Sequence, residues 1–257
     1  MANLIRSAKP ASAWNKNDLR AYNIQVVPET VATFFGNTNL PPSLTSPANL
    51  AHDVYPDIGL LTDDELFSDY LDYAMRSPGM RQRSIYFILC LLGLLRYNTP
   101  NRCILLHKHL PLFMCSTKTL AKPDYSVIDH ASRNILLVLE DRKHLEGKDP
   151  GPHLIAEAIA AFQFNNRRLS AAGLPTVNAA VMPGITMVGT APTFYKIDLT
   201  TTLVEAVELG KYPTQTTTVH KLTPPVQAPS HLLQDGMRPL NNRAVILSCF
   251  EAFKQFL

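Results

Sequence analysis

The spacing of hydrophobic positions along the chain first predicts helices. Residues 61–75 place apolar side chains at helical intervals behind Thr62 and Glu65, which have the spacing of a capping box. This pattern predicts an amphipathic helix with an acidic outer face. Residues 83–97 are apolar on nearly every side, which predicts a buried, central helix.

The hydrophobic period then shortens, and the chain becomes rich in short β-prone runs separated by turn residues. These runs predict strands at 103–106, 110–114, 125–128, 135–139, 180–188 and 193–199. Helical spacing returns at 153–169, 203–209 and 242–256. Residues 135–139 are continuously aliphatic, which is typical of a strand covered on both faces. The centre therefore predicts an α/β protein.

Composition narrows the class of protein. The 257 residues are 46% hydrophobic and 18% charged, which excludes intrinsic disorder and allows one sizeable core. The longest apolar run, 85–95, is shorter than the ~20 residues of a membrane-spanning helix, and no apolar core of a signal peptide opens the sequence. Four cysteines without a CxxC pair favour reduced thiols. We therefore expect an intracellular protein, cytoplasmic or nuclear, that is neither secreted nor in a membrane.

Charge is unevenly distributed along the chain. Between Asp53 and Asp72 there are seven acidic residues and no Lys or Arg, and the rest of the chain carries 24 basic against 14 acidic residues. A polyanionic partner is therefore compatible with the main body. The sequence contains no GxSxG, GxxxxGK[ST] or GxGxxG motif, so it gives no support to a hydrolase elbow, a P-loop or a dinucleotide fold.

The segment KPDYSVIDHASRNILLVLEDRK, residues 122–143, combines two predicted strands around a hairpin. Asp124 opens the first strand, 124–129, and Asp141 and Lys143 close the second, 135–143. If the strands pair antiparallel, Asp124 lies beside the end of its partner, so two carboxylates and an ammonium meet at one sheet edge. Carboxylate oxygens suit Mg²⁺ or Mn²⁺, which can polarise a phosphodiester and activate a bound water.

Pro123-Asp124, a gap of sixteen residues and then Asp141-x-Lys143 resemble the motif of the PD-(D/E)XK nuclease superfamily. The amino-acid sequence of the segment is similar to those of largely fungal members of that superfamily, whose substrate is unassigned. The resemblance covers about residues 100–200, and the order of predicted elements also matches that superfamily. It implies a restriction-endonuclease-like core, a mixed central sheet flanked by helices, within 80–200 of one domain spanning 1–257. Residues 1–79 and 201–257 are then extensions that wrap this core.

The resemblance implies an endonuclease-type hydrolase that cuts nucleic acid, DNA in preference to RNA, with Mg²⁺ or Mn²⁺. Asp124 and Asp141 would bind the metal, the backbone carbonyl of Arg142 would be a further ligand, and Lys143 would act at the attacking water. The sequence leaves open whether the protein forms a homodimer.

Two features of the motif remain ambiguous. The superfamily commonly has Glu two residues before the Lys, whereas here Glu140 precedes Asp141. Strand alternation sends Glu140 to the face opposite Asp141 and Lys143, so we expect Asp141 to be the ligand and keep Glu140 as the alternative.

The following helix often adds a polar residue to the site. Its candidates are His153, Glu157 and Gln163, of which His153 and Glu157 share one stripe while Gln163 projects elsewhere. Glu65 is the nearest candidate for the superfamily's upstream helical acid. Surface or capping roles for all four residues remain open. The missing helix acid and the Asp-for-Glu change also leave open a catalytically inactive nuclease fold that binds nucleic acid or protein.

Overall fold

The computed structural model describes residues 6–42, 63–76, 81–142, 149–226 and 231–257. Its α-helices are α1 Lys16–Ala21, α2 Val31–Phe35, α3 Asp63–Arg76, α4 Arg81–Leu94, α5 Gly151–Ala171, α6 Thr201–Leu209, α7 Leu232–Asp235 and α8 Leu240–Phe253. Its strands are β1 Ile24–Pro28, β2 Arg102–Leu106, β3 Leu110–Met114, β4 Thr117–Ala121, β5 Tyr125–Asp129, β6 Ile135–Arg142, β7 Ala179–Val188, β8 Ala191–Thr200 and β9 Thr217–Leu222. Short 3₁₀ helices occupy Ala11–Ala13 and Lys254–Phe256.

Seven strands form a mixed sheet in the order β1-β9-β8-β7-β6-β5-β2, flanked by helices, which confirms the α/β prediction. The β1–β9 and β6–β7 pairs are parallel and the other pairs are antiparallel. Helix α5 makes the crossover between the parallel strands β6 and β7, as a parallel pair requires. β3 and β4 form a separate antiparallel hairpin that packs on α5.

The predicted elements of the centre are confirmed to within a few residues, but several elements were missed. Strand β1 pairs with β9 across almost the whole chain, from Ile24 to Thr217, and together they extend the sheet beyond β8. Four of the five β1 residues are exposed, so the β1 sequence lacks the hydrophobic alternation that predicts a strand. The hairpin strand β4 is also largely exposed and polar.

Each face of the sheet buries its own apolar layer. One layer joins α5, the β3–β4 hairpin and alternate residues of the central strands, such as Val138. The opposite layer joins α4 and α8 with the intervening strand residues, such as Leu137 and Leu139. No helix in the described part of the chain is both long enough and apolar enough to cross a membrane.

Candidate functional site

The site is built at the end of the β5–β6 hairpin. Strand register pairs Tyr125 with Leu139, so Asp124, directly before β5, stands beside Glu140 near the end of β6. Tyr125 and Leu139 belong to the apolar layer of α4 and α8. Because strand side chains alternate, Asp124 and Glu140 are directed to the other face, toward α5.

Helix α5 supplies the second half of the site. Its first turn contains Pro152, and the Asp149 side chain accepts a hydrogen bond from the Gly151 backbone N–H at 3.0 Å, which stabilises the helix start. His153 and Glu157 follow at i,i+4 and therefore share one face of the helix. That face packs against the end of β6.

One imidazole contacts both glutamates. His153 Nδ1 lies 2.9 Å from Glu140 Oε1, and His153 Nε2 lies 3.1 Å from Glu157 Oε1. The three side chains are buried, with Glu157 fully so. Glu157 Oε2 has no hydrogen-bond partner among the described residues, which is costly for a carboxylate in the interior.

Burial, hydrogen bonds and neighbouring charges together raise the pKa values of His153 and Glu157. Burial alone would lower the pKa of His153, but its hydrogen bonds to Glu140 and Glu157 outweigh burial and raise it. Burial raises the pKa of Glu157, and the charges of Glu140 and Asp124 raise it further, against the opposing effect of His153. The influence of Asp124 shows that its carboxylate lies in the same electrostatic environment.

Asp124 is held by two neighbours. Its Oδ2 accepts a hydrogen bond from the Asp141 backbone N–H at 3.0 Å, and its Oδ1 lies 3.4 Å from His107 Nδ1. The His107 backbone N–H also donates to the Asp124 carbonyl at 2.9 Å. Sequence reasoning did not assign His107 to this site. The pairing of β2 with β5, Leu106 opposite Tyr125, brings the residue after β2 beside the residue before β5 and would have indicated it.

Strand register determines which acid of β6 shares a face with Asp124. Asp141 was expected as the ligand beside Asp124, with Glu140 as the alternative. Glu140 and Asp141 do lie on opposite faces, but Glu140 is the one that shares a face with Asp124 and contacts α5. Asp141 follows the alternation of Leu137 and Leu139 and contributes its backbone N–H instead.

Other predicted site residues lie elsewhere or outside the described residues. Gln163 holds the β3 backbone, because its side-chain oxygen accepts from the Phe113 N–H and its amide donates to the Phe113 carbonyl, both at 2.9 Å. This explains why Gln163 is absent from the α5 stripe of the site. Lys143 lies outside the described residues, as do the side chains of Arg142 and Glu65. The Arg142 backbone ends β6 opposite Val188.

Glu140, His153 and Glu157 form a group that could hold a metal ion. One potential ligand atom from each residue lies within 4.8 Å of the others. Carboxylates fit Mg²⁺ or Mn²⁺, whereas an imidazole ligand fits other divalent ions better, and a His beside a metal also serves to orient ligating carboxylates. The buried Glu157 oxygen without a partner is consistent with a cation as its missing neighbour.

No family model and no curated protein matches this chain.

Proposed function

We propose that this protein is a metal-dependent nuclease that hydrolyses phosphodiester bonds, in DNA rather than RNA. The observation that carries the proposal is the convergence of Asp124 and Glu140, from neighbouring strands, with His153 and Glu157 of the crossover helix. Two strand carboxylates and polar groups from the following helix are what the PD-(D/E)XK resemblance implies for a nuclease site.

The topology supports the same proposal. Five adjacent strands, β2-β5-β6-β7-β8, form a mixed sheet, and the helix after β6 returns the chain to a parallel β7. This is the order of helix, hairpin, strand, helix and strand that led us to expect a restriction-endonuclease-like core. Fold alone does not establish an activity, so the proposal depends on the side chains at the end of the hairpin.

Asp124, Glu140 and Glu157 are the residues that would hold a divalent ion, and the unpartnered oxygen of Glu157 fits that role. A bound Mg²⁺ or Mn²⁺ would polarise a phosphodiester oxygen of the substrate and would lower the pKa of a water molecule bound to the metal. His153 orients the Glu140 and Glu157 carboxylates through its two ring nitrogens, and its raised pKa keeps a proton between them. The Asp141 N–H and His107 orient Asp124.

The decisive experiment incubates the whole chain with supercoiled plasmid and with a labelled single-stranded oligonucleotide, in Mn²⁺, Mg²⁺ or EDTA. We expect cleavage with either metal, none in EDTA and none for Glu140→Gln. Glu29→Gln is the matched control, because Glu29 also pairs with a histidine, His220, at 2.6 Å but lies outside the site. Metal-independent cleavage, or equal loss in both variants, would contradict the proposal.

Lys143 remains the proposed residue for the attacking water. If it acts only on the reaction, Lys143→Ala should abolish cleavage while Mn²⁺ affinity, measured by calorimetry, changes little. Cleavage at the wild-type rate would remove Lys143 from the mechanism.

A second candidate function is a nuclease fold without activity that binds nucleic acid or protein. The observation that favours it is the burial of the site from solvent. The four site residues Asp124, Glu140, His153 and Glu157 are at most 7% exposed. A phosphate could reach them only after a rearrangement. Oligonucleotide binding without cleavage under any metal would support this second function.

A further inference from the structure

One segment of the chain beside the site contains basic residues and no acidic ones. Residues 102–123, which form β2, β3, β4 and their connections, contain four Lys or Arg residues and no Asp or Glu. The β3–β4 hairpin packs on α5, whose only acidic residue is the buried Glu157. This arrangement concentrates positive charge next to α5.

Two cations of this surface share one aromatic ring. Lys108 Nζ lies 4.8 Å from the centroid of the Phe164 ring, and the Arg168 guanidinium carbon lies 5.8 Å from it. Arg168 also donates to the Ser132 carbonyl at 3.0 Å, which fixes its position at the β5–β6 turn. Within the described part of the chain, neither cation makes an ion pair with a carboxylate, so both charges remain available to a ligand.

The two cations stand at different ends of the β5–β6 hairpin, because Arg168 contacts the turn at Ser132, whereas Lys108 lies toward the candidate site. Lys108 follows His107, whose Nδ1 lies 3.4 Å from the Asp124 carboxylate. The His107 side chain is 38% exposed, whereas that of Asp124 is 3% exposed. His107 therefore connects the buried carboxylates with the surface on which Lys108 and Arg168 stand.

We propose that Lys108, Phe164 and Arg168 form a surface that binds the phosphodiester backbone of a nucleic-acid strand and leads it to Asp124. This inference rests on the proposed nuclease function, because it assigns the substrate's path to the same site. Cations held over a ring lose little conformational entropy on binding, and phosphate contacts position a nucleic acid without reading its sequence. The ligand is thus a phosphodiester backbone.

Arg167 provides a matched control. Its guanidinium also lies over a ring, 3.4 Å from the Phe113 centroid, but its charge is paired with Glu208 at 3.2 Å. It is one residue from Arg168 on the same exposed end of α5, and successive helical residues project in different directions. A general effect of removing positive charge would appear in both variants, whereas a specific surface requires Arg168.

The test measures binding of a fluorescent single-stranded oligonucleotide by anisotropy, in EDTA to prevent cleavage, over a range of salt concentrations. Lys108→Ala and Arg168→Ala should each weaken binding about fivefold and lower the slope of log affinity against log salt by about 0.7. Arg168→Lys should keep the slope, and Arg167→Ala should change affinity less than about twofold. Melting curves verify that each variant is folded.

Unchanged slopes for Lys108→Ala and Arg168→Ala, or an equal loss for Arg167→Ala, would overturn the surface. If these two variants lose binding as expected but the wild type never cleaves, the proposed binding surface is supported and the nuclease proposal is wrong. If the wild type cleaves and both variants bind normally, the nuclease proposal stands and the surface fails.

Discussion

Strands β5 and β6 present two different environments from alternate residues of the same hairpin. Tyr125, Leu137 and Leu139 enter an apolar layer that contains the aromatic side chains of α8. Asp124 and Glu140, their immediate neighbours, enter the layer of α5 and meet His153 and Glu157. Both faces gain stability from close packing, but the α5 face also buries three carboxylates, against the single carboxylate of Asp141 on the opposite face.

This difference indicates that the carboxylate cluster on the α5 face lowers the stability of the folded protein. Buried ion pairs seldom improve on well-packed apolar groups of the same volume. A cluster with three carboxylates and one imidazole is therefore poorly explained by folding alone, and perturbed pKa values of this kind are concentrated at functional sites.

The largest effect should separate the adjacent acids of β6. Glu140→Gln removes a charged group from the α5 face and should reduce cleavage about a thousandfold while the fold persists. Asp141→Asn should retain cleavage within about tenfold, because the backbone N–H that holds Asp124 is unchanged. Initial rates on plasmid in Mn²⁺ measure both. If Asp141→Asn is the inactive variant, the assignment of faces to function is wrong.

Substitutions on the face covered by α4 and α8 should lower the stability of the protein and leave cleavage intact. Leu139 is fully buried, and Leu139→Ala should lower the free energy of unfolding by about 3 kcal/mol in a urea titration. Leu120→Ala, at a position 44% exposed, should cost less than about 0.5 kcal/mol. Below its melting transition, Leu139→Ala should still cleave. Loss of cleavage in a folded Leu139→Ala protein would show that the two faces do not act separately.

The α5 face should also make stability depend on pH. Against the burial that lowers it, hydrogen bonding raises the pKa of His153 from 6.5 to about 9, so its proton stabilises the folded state fully below pH 6.5 and this contribution is lost as the pH rises through 9. The raised pKa of Glu157 acts in the same direction. In EDTA, the free energy of unfolding should fall by about 3 kcal/mol across this window.

His153→Gln should remove the part of that pH dependence that comes from the His153 proton, whatever its effect on absolute stability, and should leave the part that burial of Glu157 contributes. Leu139→Ala should lose stability equally at both ends of the range and serves as the comparison. A free energy of unfolding that rises with pH in the wild type would contradict the assigned direction.

The smallest effect concerns Ser126, which lies on the α5 face between Asp124 and the end of the hairpin. Its hydroxyl is buried and has no hydrogen-bond partner in the described part of the chain. Ser126→Ala should therefore raise the free energy of unfolding by about 1 kcal/mol or leave it unchanged. A loss above about 1 kcal/mol, by urea titration, would show that the hydroxyl satisfies a group of the site.

Sequence alone predicted the hairpin, its bounds and the following helix, because their hydrophobic periods are strong and local. It also predicted that Glu140 and Asp141 would point in opposite directions, since strand alternation is a property of the backbone. The i,i+4 stripe of His153 and Glu157 followed from helical geometry in the same way.

Only the tertiary structure decided which of the two acids faces α5. Alternation defines two opposite faces, but which helix covers each face depends on packing between residues far apart in sequence, as does the pairing of β1 with β9. His107 reaches Asp124 for the same reason, because β2 and β5 pair although the β3–β4 hairpin separates them in the sequence. The local pattern determined the elements, and long-range pairing determined which side chains meet.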